Sequence, residues 1–421
     1  MFAVYRLMAA LAAPLALAWL RWRVAGPAPL RRKWRERLGT LPDVEPGAIW
    51  IHAASVGEVN AAQPLIGALA ERRENHRLII STFTITGRER AAELFGETHD
   101  IVFAPVDTFI TVKRWLRRVR PALAIMVETE LWPELFHQCD RAGIPMVLVN
   151  ARLAPDAMRH YRRFRRLFAR TLAYVDLAIC QSRDDARRFG ELGLDEERIE
   201  VAGNLKFDMT VPDDIGRRSR KLRELWGERP VWVAGSTREG EERIVLDAHH
   251  RMLDSRPEAL LVLAPRHPER SDAIGALIER RGLKYQGIDE SVDSDTAVVL
   301  VDRLGWLTTC YAAAPAAFVG GSLVDIGGHN LLEPAGFGKV VLAGPHLHQQ
   351  AEMARTLDQA GALVKVRDAA ELAAAVREVW ANPESALERG RRAMGVVEAG
   401  RGSVRRSLAW IMRVLDDQSS S

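Results

Sequence analysis

A chain of 421 residues is too long for one ordinary domain, so we expect two domains and an appendage. Hydrophobic residues make up 48% and charged residues 27%, a composition that excludes a disordered protein. The net charge of +4 is concentrated in residues 1–210, which carry 31 Lys and Arg against 25 Asp and Glu and therefore indicate an anionic partner.

The first 20 residues are apolar except for Arg6, and a stretch rich in arginine and tryptophan follows up to residue 37. Positive residues stay on the cytoplasmic side of a membrane, and tryptophan favours its interface. The apolar stretch of the first 20 residues is marginally long enough to cross a bilayer if the Arg6 side chain snorkels. We expect a membrane-associated helix within an anchor segment at 1–38. A spanning helix, an interfacial helix and a cleaved signal peptide all remain open.

Strand and helix patterns alternate from about residue 48 onward. Apolar runs of strand length occur at 49–53, 78–83, 101–105, 123–127, 145–149 and 177–180, then at 231–234, 260–264, 297–301, 317–319, 340–342 and 363–366. Strands that alternate with helices predict a parallel sheet wrapped by helices. The predicted fold class is therefore α/β, with two Rossmann-like doubly wound domains facing a cleft at the carboxyl ends of the strands.

The predicted domain limits follow from these two runs of strands. The first domain spans 39–210, a linker with a helix-like pattern spans 211–229, the second domain spans 230–402, and a C-terminal helix and tail span 403–421. The three cysteines are widely spaced, which predicts no metal site and favours a reducing compartment. No nucleic-acid recognition motif is present.

Three motifs in the first half follow predicted strands. The segment 50–58 places Ser55 and Glu58 at the start of a helix, whose dipole favours an ionised carboxylate. Glu58 could act as a general base, or it could only support the first turn of its helix. Glu130 lies in segment 125–134, where a site for hydroxyl groups and local helix capping by Thr129 are both open. Lys206 in segment 203–208 could meet a phosphate or carboxylate, or remain a solvated lysine.

The second half carries basic residues after its strands. Arg238 and Arg266 follow the runs at 231–234 and 260–264, and an arginine fork suits a nucleotide phosphate. The strongest local signal is the glycine-rich segment 319–334. There Asn330 and Glu333 have the spacing of a capping box, and the exposed amides of the helix start would receive a phosphate. Glu333 could instead accept hydrogen bonds from ribose hydroxyls.

Together these motifs resemble the 3-deoxy-D-manno-octulosonic acid (Kdo) transferase family of lipopolysaccharide synthesis. The matching segments are 33–37, 55–58, 128–133, 203–208, 265–270 and 320–334. The resemblance implies a GT-B glycosyltransferase that moves Kdo from CMP-Kdo to the tetraacylated, bis-phosphorylated lipid A precursor, lipid IVA. It also implies that the reaction inverts the anomeric centre without a metal or another cofactor.

The resemblance also assigns roles to individual positions. Glu58 falls on the proton acceptor of the family. Segments that line the cleft in the family correspond to the positions of Ser55, Glu130, Lys206 and Arg238. Contacts to CMP fall on Pro265, Arg266, Gly305, Trp306, Leu307, Asn330, Leu331, Leu332 and Glu333. Trp306 departs from the family pattern, which often has a glutamate at this position. A contact made there by backbone amides would survive this change, and one made by a carboxylate would not.

The predicted partners are CMP-Kdo, the lipid A precursor and an anionic membrane surface, with no nucleic acid. The resemblance and the basic N-terminus place the protein at the cytoplasmic face of a bacterial inner membrane. A sugar-nucleotide epimerase is the alternative, because it can use the same two-domain fold. A dehydrogenase is disfavoured, since no G-x-G-x-x-G follows the first strand.

Overall fold

The computed structural model describes residues 1–23, 33–41, 44, 46–72, 78–208, 211–288, 290 and 292–419, without the side chains of 15–23, 33 and 418–419. The chain forms two compact units. The first comprises Met1–Asp208 with Gly400–Ser421, and the second comprises Met209–Ala399. Part of the predicted anchor segment, 24–32, lies outside the described residues.

The first unit is built on a seven-stranded parallel sheet with the order β3-β2-β1-β4-β5-β6-β7. The strands are β1 Ile49–His52, β2 Leu78–Thr82, β3 Asp100–Phe103, β4 Leu123–Val127, β5 Met146–Ala151, β6 Leu177–Cys180 and β7 Ile199–Val201. The central strands are buried throughout, which explains their unbroken apolar runs. Because β1 and β4 are neighbours, the strand order changes direction between them.

Helices connect these strands. They are α1 Phe2–Arg23, α2 Val56–Arg72, α3 Ile85–Phe95, α4 Phe109–Val119, α5 Pro133–Arg141, α6 Pro155–Arg163, α7 Arg165–Leu172 and α8 Arg183–Leu192, with short 3-10 turns at Lys33–Leu38, Glu196–Arg198 and Leu205–Phe207. The last helix of the chain, Ser403–Ser419, also belongs to this unit. Its Ile411 and Leu415 share a core with Leu65 of α2, and the Asp208 carboxylate accepts bonds from the amides of Gly402 and Val404 at its start.

The second unit repeats the design with a parallel sheet in the order β10-β11-β9-β8-β12-β13-β14. Its strands are β8 Val231–Thr237, β9 Leu260–Pro265, β10 Tyr285–Gly287, β11 Val298–Leu300, β12 Ala316–Val319, β13 Val340–Ala343 and β14 Leu363–Lys365. Its helices are α9 Ile215–Trp226, α10 Glu241–Leu253, α11 Ser271–Glu279, α12 Leu307–Ala313, α13 Leu332–Gly336, α14 Ala351–Gln359, α15 Ala369–Ala381 and α16 Pro383–Gly400, with 3-10 turns at Pro268–Arg270 and His348–Gln350. The helix Ser403–Ser419 of the first unit is numbered α17.

Two doubly wound parallel sheets confirm the predicted α/β class of GT-B type. Strands β7 and β10 were absent from the prediction. Both are three-residue edge strands that are only partly buried, so neither needs an apolar run. The helix α9 occupies most of the predicted linker and lies within the second unit. The predicted domain limits stay a prediction.

The helix α1 begins on the surface of the first unit. The Tyr5 hydroxyl donates to the buried Asp107 carboxylate, and the Phe2 ring packs edge-on against His137 at 4.9 Å between centroids. The Arg6 guanidinium forms two bonds to Glu134, 2.5 Å and 2.8 Å long. Its charge is neutralised inside the protein by a buried carboxylate. Among the described residues, none of the helices combines the length and the hydropathy needed to cross a membrane.

Candidate active site

The functional motifs lie where each sheet changes direction. In the first unit, the loops after β1 and β4 carry residues 53–58 and 128–132. In the second unit, the loops after β8 and β12 carry residues 238–240 and 320–331. Adjacent parallel strands whose connections run in opposite directions leave a crevice at their carboxyl ends, and ligands bind there in open α/β sheets.

Glu58 lies in the first turn of α2 and turns back toward the end of β1. Its carboxylate accepts a bond from the Ala54 amide at 2.7 Å and one from the Ser55 hydroxyl at 2.9 Å. Ser55 and Glu58 therefore lie together at one helix start, where the sequence placed both. The two bonds fix the carboxylate in one orientation without enclosing it, since the side chain is half-buried.

The protonation of Glu58 differs from the sequence-based expectation of an ordinary ionised carboxylate. The pKa of Glu58 is raised to about 7, chiefly by burial and also by the nearby charges of Glu130 and Glu128, while the bonds from Ala54 and Ser55 act in the opposite direction. The helix dipole was the only effect visible in the sequence, and desolvation outweighs it. A carboxyl group that titrates near neutral pH is well suited to accept a proton.

Glu58, Glu128 and Glu130 form a group that we call the carboxylate cluster. Glu130 accepts a bond from the Trp132 indole at 2.6 Å, and burial raises its pKa. Glu128 has a positive φ of 63°, a strained conformation for a non-glycine residue, and lies 3.8 Å from the Lys206 ammonium group. Lys206 thus approaches the cluster as a counter-charge.

Local capping does not explain the segment after β4. The helix α5 begins only at Pro133, and the Thr129 hydroxyl donates to the Arg152 carbonyl oxygen instead of capping a helix. The first amides of α5 are capped from a distant loop, where the Asp107 carboxylate accepts from Glu134 and Leu135. Residues 128–130 are therefore free of a helix-capping role.

A buried amide network holds the loop that carries Lys206. The Asn150 side chain accepts from the Leu205 amide at 3.0 Å, although Asn150 itself has a strained φ of 54°. Gln181 connects the Asn150 carbonyl to the Asn204 side chain with bonds of 2.9 Å and 3.1 Å. The network orients the loop toward the end of β4. The sequence analysis overlooked these residues, because their roles arise from contacts between distant loops.

The second unit holds a basic cluster formed by Arg238, Arg266, His267 and His329. The Arg238 guanidinium contacts the His267 ring directly. The pKa of His329 is lowered to about 4, chiefly by burial and also by the charges of Arg238, Arg266 and His267. The cluster therefore brings together Arg238 and Arg266, which come from different loops of the sequence. His329 is neutral at pH 7 and can donate one hydrogen bond.

Several donors in this cluster and beside it have no partner within the described part of the chain. The Arg238 Nε, the His329 Nε2 and the Thr237 hydroxyl are buried and make no hydrogen bond there. A buried polar group without a partner is costly, and such groups gather where a ligand satisfies them. Two neighbouring arginines, of which Arg238 has an unpaired Nε donor, suit an anion such as a phosphate.

A buried carboxylate organises the glycine-rich turn beside the basic cluster. Glu241 is fully buried and accepts four backbone N–H bonds, from Gly321, Ser322, Leu323 and Arg238, at distances of 2.6 Å to 2.9 Å. Such a carboxylate satisfies four amides that would otherwise be orphaned. Glu241 joins the loops after β8 and β12 into one rigid platform. Sequence analysis missed this residue, which begins α10 three positions after Arg238.

The predicted anion site at the helix start near Asn330 is only partly present. The helix α13 has five residues and begins at Leu332, so its dipole is small. The Leu332 amide is occupied by the Asn330 side chain at 3.1 Å, and the Asn330 amide group donates to Glu333. Glu333 is half-buried, and burial raises its pKa while Arg266 lowers it. The side chains of Asn330 and Glu333, rather than the free amides, are available to a ligand.

The remaining predicted positions lie around this platform. Pro265 ends β9, and Leu331 and Leu332 are buried under the loop. Leu307 at the start of α12 lies against the backbone of Gly235 at the end of β8. Trp306 is covered by the Arg218 guanidinium, 4.7 Å from the ring, and the Gly305 carbonyl also accepts from Arg218. Within the described residues, no group of three or more His, Cys, Asp and Glu side chains is arranged to hold a metal ion.

Comparison with known proteins agrees with these motifs. Residues 32–209 match the family model described as 3-Deoxy-D-manno-octulosonic-acid transferase (kdotransferase). The 3-deoxy-D-manno-octulosonic acid transferase of Haemophilus influenzae is 35% identical over 385 residues, covering 90% of each chain. The enzyme of the same name from Bordetella pertussis is 32% identical and covers 96% of this chain and 97% of its own. This chain belongs to the Kdo transferase family.

Membership of the Kdo transferase family makes the protein a glycosyltransferase and confirms the predicted resemblance. Among solved structures, the UDP-GlcNAc 2-epimerase of Neisseria meningitidis superposes with a TM-score of 0.57 over 87% of this chain and all of its own. At 12% identity this similarity concerns the fold alone. The epimerase alternative is therefore less well supported than the transferase.

Proposed function

We propose that this Kdo transferase moves Kdo from CMP-Kdo onto a hydroxyl group of the lipid A precursor, with Glu58 as the general base. Family membership supports the transfer of Kdo. The observation that carries the role of Glu58 is its position at the end of β1, where burial and two neighbouring carboxylates raise its pKa to about 7. Such a group is ionised often enough to accept a proton and basic enough to hold it.

The proposed reaction is a single displacement. The ionised Glu58 removes the proton from an acceptor hydroxyl, and the resulting oxygen attacks the anomeric carbon of Kdo. The bond between that carbon and the CMP phosphate oxygen breaks, so that CMP leaves with the electron pair and the anomeric centre is inverted. Lys206 and the carboxylate cluster lie at the same strand ends and would orient the hydroxyl groups of the acceptor.

The basic cluster is proposed to bind the phosphate of CMP. A CMP leaving group carries a single phosphate, whose charge Arg238 and Arg266 can neutralise with no metal ion. The unpaired donors of Arg238 and His329 support this assignment, because an anion would satisfy them. Glu333 and Asn330, beside Arg266, are proposed to bind the ribose hydroxyls.

The N-terminal helix is proposed to hold the enzyme at the cytoplasmic face of an anionic membrane. Once Tyr5 and Arg6 are docked, the opposite face of α1 exposes apolar side chains: Val4, Leu7, Met8 and Leu11 are 57% to 68% exposed. Ile110 at the start of α4 is 67% exposed and precedes exposed basic residues at 113, 114 and 117. An apolar patch flanked by positive charge is typical of a lipid interface.

The decisive test is a transfer assay with CMP-Kdo and lipid IVA in which the products are resolved by mass. We expect the wild-type enzyme to add Kdo and Glu58→Gln to be inactive, while both bind CMP with similar affinity. Glu71→Gln, an exposed glutamate on the same helix, is the matched control and should retain activity. Substantial transfer by Glu58→Gln would remove Glu58 from this role.

Two further measurements address the remaining parts of the proposal. Incubation with a sugar nucleotide alone separates the classes, since an epimerase turns over without an acceptor and a transferase does not. Sedimentation with anionic vesicles tests whether α1 binds a membrane. The double variant Leu7→Glu and Leu11→Glu should no longer sediment with the vesicles. Leu387→Glu, at an exposed leucine of the second unit, should still sediment with them. Equal sedimentation of both variants would refute the assignment of α1.

A further inference from the structure

A buried polar relay lies beneath the carboxylate cluster. Trp50 and His52 are on β1, and Ser81 is on the adjacent strand β2, opposite His52 in the parallel register. All three are at most 1% exposed. The Trp50 indole donates to the Ser81 hydroxyl at 2.8 Å, and the same hydroxyl lies 2.8 Å from His52 Nδ1.

The relay ends at the carboxylate cluster. His52 Nε2 is buried without a hydrogen-bond partner in the described part of the chain and lies 3.9 Å from the Glu130 Oε2 atom. The Trp132 indole donates to that same oxygen at 2.6 Å, and the Trp132 ring stands edge-on to the His52 ring. The unpaired ring nitrogen therefore points at an oxygen that is already fixed in place.

Elementary hydrogen-bond chemistry assigns the proton on His52. Burial lowers the pKa of His52 to about 4, so the ring is neutral at pH 7 and carries one proton. An indole can only donate, so Trp50 occupies an acceptor site of Ser81 and the Ser81 hydroxyl proton is free to point at Nδ1. Because the Ser81 hydroxyl has a second acceptor site, its contact with Nδ1 permits either tautomer. We assign the ring proton to Nε2 because of the carboxylate that lies beyond this nitrogen. The opposite tautomer would direct a lone pair at the Glu130 carboxylate, which is unfavourable.

We propose that His52 is a positioning residue of the transfer reaction, whose Nε2–H group, fixed by Trp50 and Ser81, orients the ionised Glu130 carboxylate beside Glu58. The inference rests on the proposed function, because it assigns to Glu58 the role of base. At 3.9 Å the pair is longer than a hydrogen bond and contracts when the acceptor fills the site, as catalytic hydrogen bonds do. The charge of Glu130 then keeps Glu58 basic.

Two conservative variants of His52 distinguish the role of Nε2 from the role of Nδ1. In His52→Gln the side-chain amide reaches the position of Nε2 and preserves a donor toward Glu130. In His52→Asn it reaches only the position of Nδ1, so contact with Ser81 is retained and the donor is lost. We expect His52→Gln to keep kcat/KM within about threefold of the wild type and His52→Asn to lose about tenfold or more, the usual effect of losing an outer hydrogen bond. Thermal unfolding of both variants should be alike.

The pH profile provides a readout that a purely structural role would not move. The charged and titratable groups around the relay are Glu58, Glu128, Glu130, Arg37, Tyr161 and, through Glu128, Lys206. Without the His52 donor, Glu130 protonates more readily, and Glu58 loses the negative neighbour that raises its pKa. The acid limb of kcat/KM should therefore shift to lower pH in His52→Asn and in Glu130→Gln, and the double variant should match Glu130→Gln alone.

Three results would overturn the inference while leaving the proposed function intact: equal activity of His52→Gln and His52→Asn, an unmoved acid limb in His52→Asn, or additive losses in the double variant. A wild-type enzyme that binds CMP and fails to transfer Kdo would overturn the proposed function, and this inference with it. Activity that is rescued by Gln and not by Asn, together with the shifted limb, would establish His52 as the donor to Glu130.

Discussion

Replacing Glu241 with glutamine should destabilise the second unit more than the replacement of any one solvent-exposed residue. The carboxylate is fully buried and accepts four backbone amides, two at each oxygen. In Glu241→Gln the single amide oxygen can accept two of these bonds. The new NH2 group then faces the other two N–H groups, donor against donor, in a place that water cannot reach.

The magnitude follows from the number of amides left without an acceptor. A buried donor that loses its partner costs about 1 to 3 kcal/mol. Two such donors give a loss of about 4 kcal/mol in the free energy of unfolding. For a unit of this size, each kcal/mol lowers the melting temperature by about 2 to 4 °C, so we expect a decrease of about 10 °C.

Calorimetry of the full chain measures this loss, and CMP titration measures its consequence for the site. The turn at 320–323 and the Arg238 backbone are held by the same carboxylate, so CMP affinity should fall together with stability. Glu239→Gln, two residues away and exposed, is the matched control and should change stability by less than about 0.5 kcal/mol. If Glu241→Gln melts within about 2 °C of the wild type, the carboxylate does not hold the turn and the reasoning fails.

Three other outcomes are expected. The kcat/KM for Kdo transfer should rise about tenfold per pH unit below pH 7 and level off above it, because Glu58 must lose its proton and its pKa is about 7. Arg266→Ala should weaken CMP binding about tenfold or more in a calorimetric titration, while the exposed Arg256→Ala should not. Arg6→Ala should leave the buried Glu134 carboxylate without its ion pair at a cost of about 3 kcal/mol, and should accelerate amide exchange in residues 2–14.

Each of these outcomes has a clear contrary result. An acid limb near pH 4 would show that Glu58 behaves as a solvated carboxyl group. Equal CMP affinity of Arg266→Ala and Arg256→Ala would place the phosphate elsewhere. Unchanged exchange in Arg6→Ala would mean that the ion pair with Glu134 does not hold the start of α1.

The central strands were predictable because both faces of a parallel strand are covered, so that β1, β4 and β5 must be apolar throughout. The edge strands β7 and β10 pair on one side only and carry polar residues, which left no pattern to find. A strand that is buried on both faces can be recognised from its own residues, because nearly all of them are apolar. Pairing at the edge of a sheet depends on the neighbouring strand.

The candidate site also combines features that could be predicted from the sequence with features that could not. Ser55 and Glu58 could be placed together because they share one helix start, and strand-end loops could be placed at one edge of a sheet. The protonation of Glu58 could not be predicted, since the burial that chiefly raises its pKa arises in the fold and the carboxylates that also raise it follow another strand. The roles of Glu241 and Asn150 also arise from partners far away in the sequence, so no local pattern marks them.

The return of the last helix, Ser403–Ser419, to the first unit has a consequence for biosynthesis. The second unit is one uninterrupted stretch, Met209–Ala399, whereas the first is assembled from both ends of the polypeptide. A nascent chain leaves the ribosome from its N-terminus, so the half that emerges first must wait for the final residues before it is complete. Loss of those last residues, through a premature stop codon or a protease, would therefore damage the half of the enzyme that was translated first.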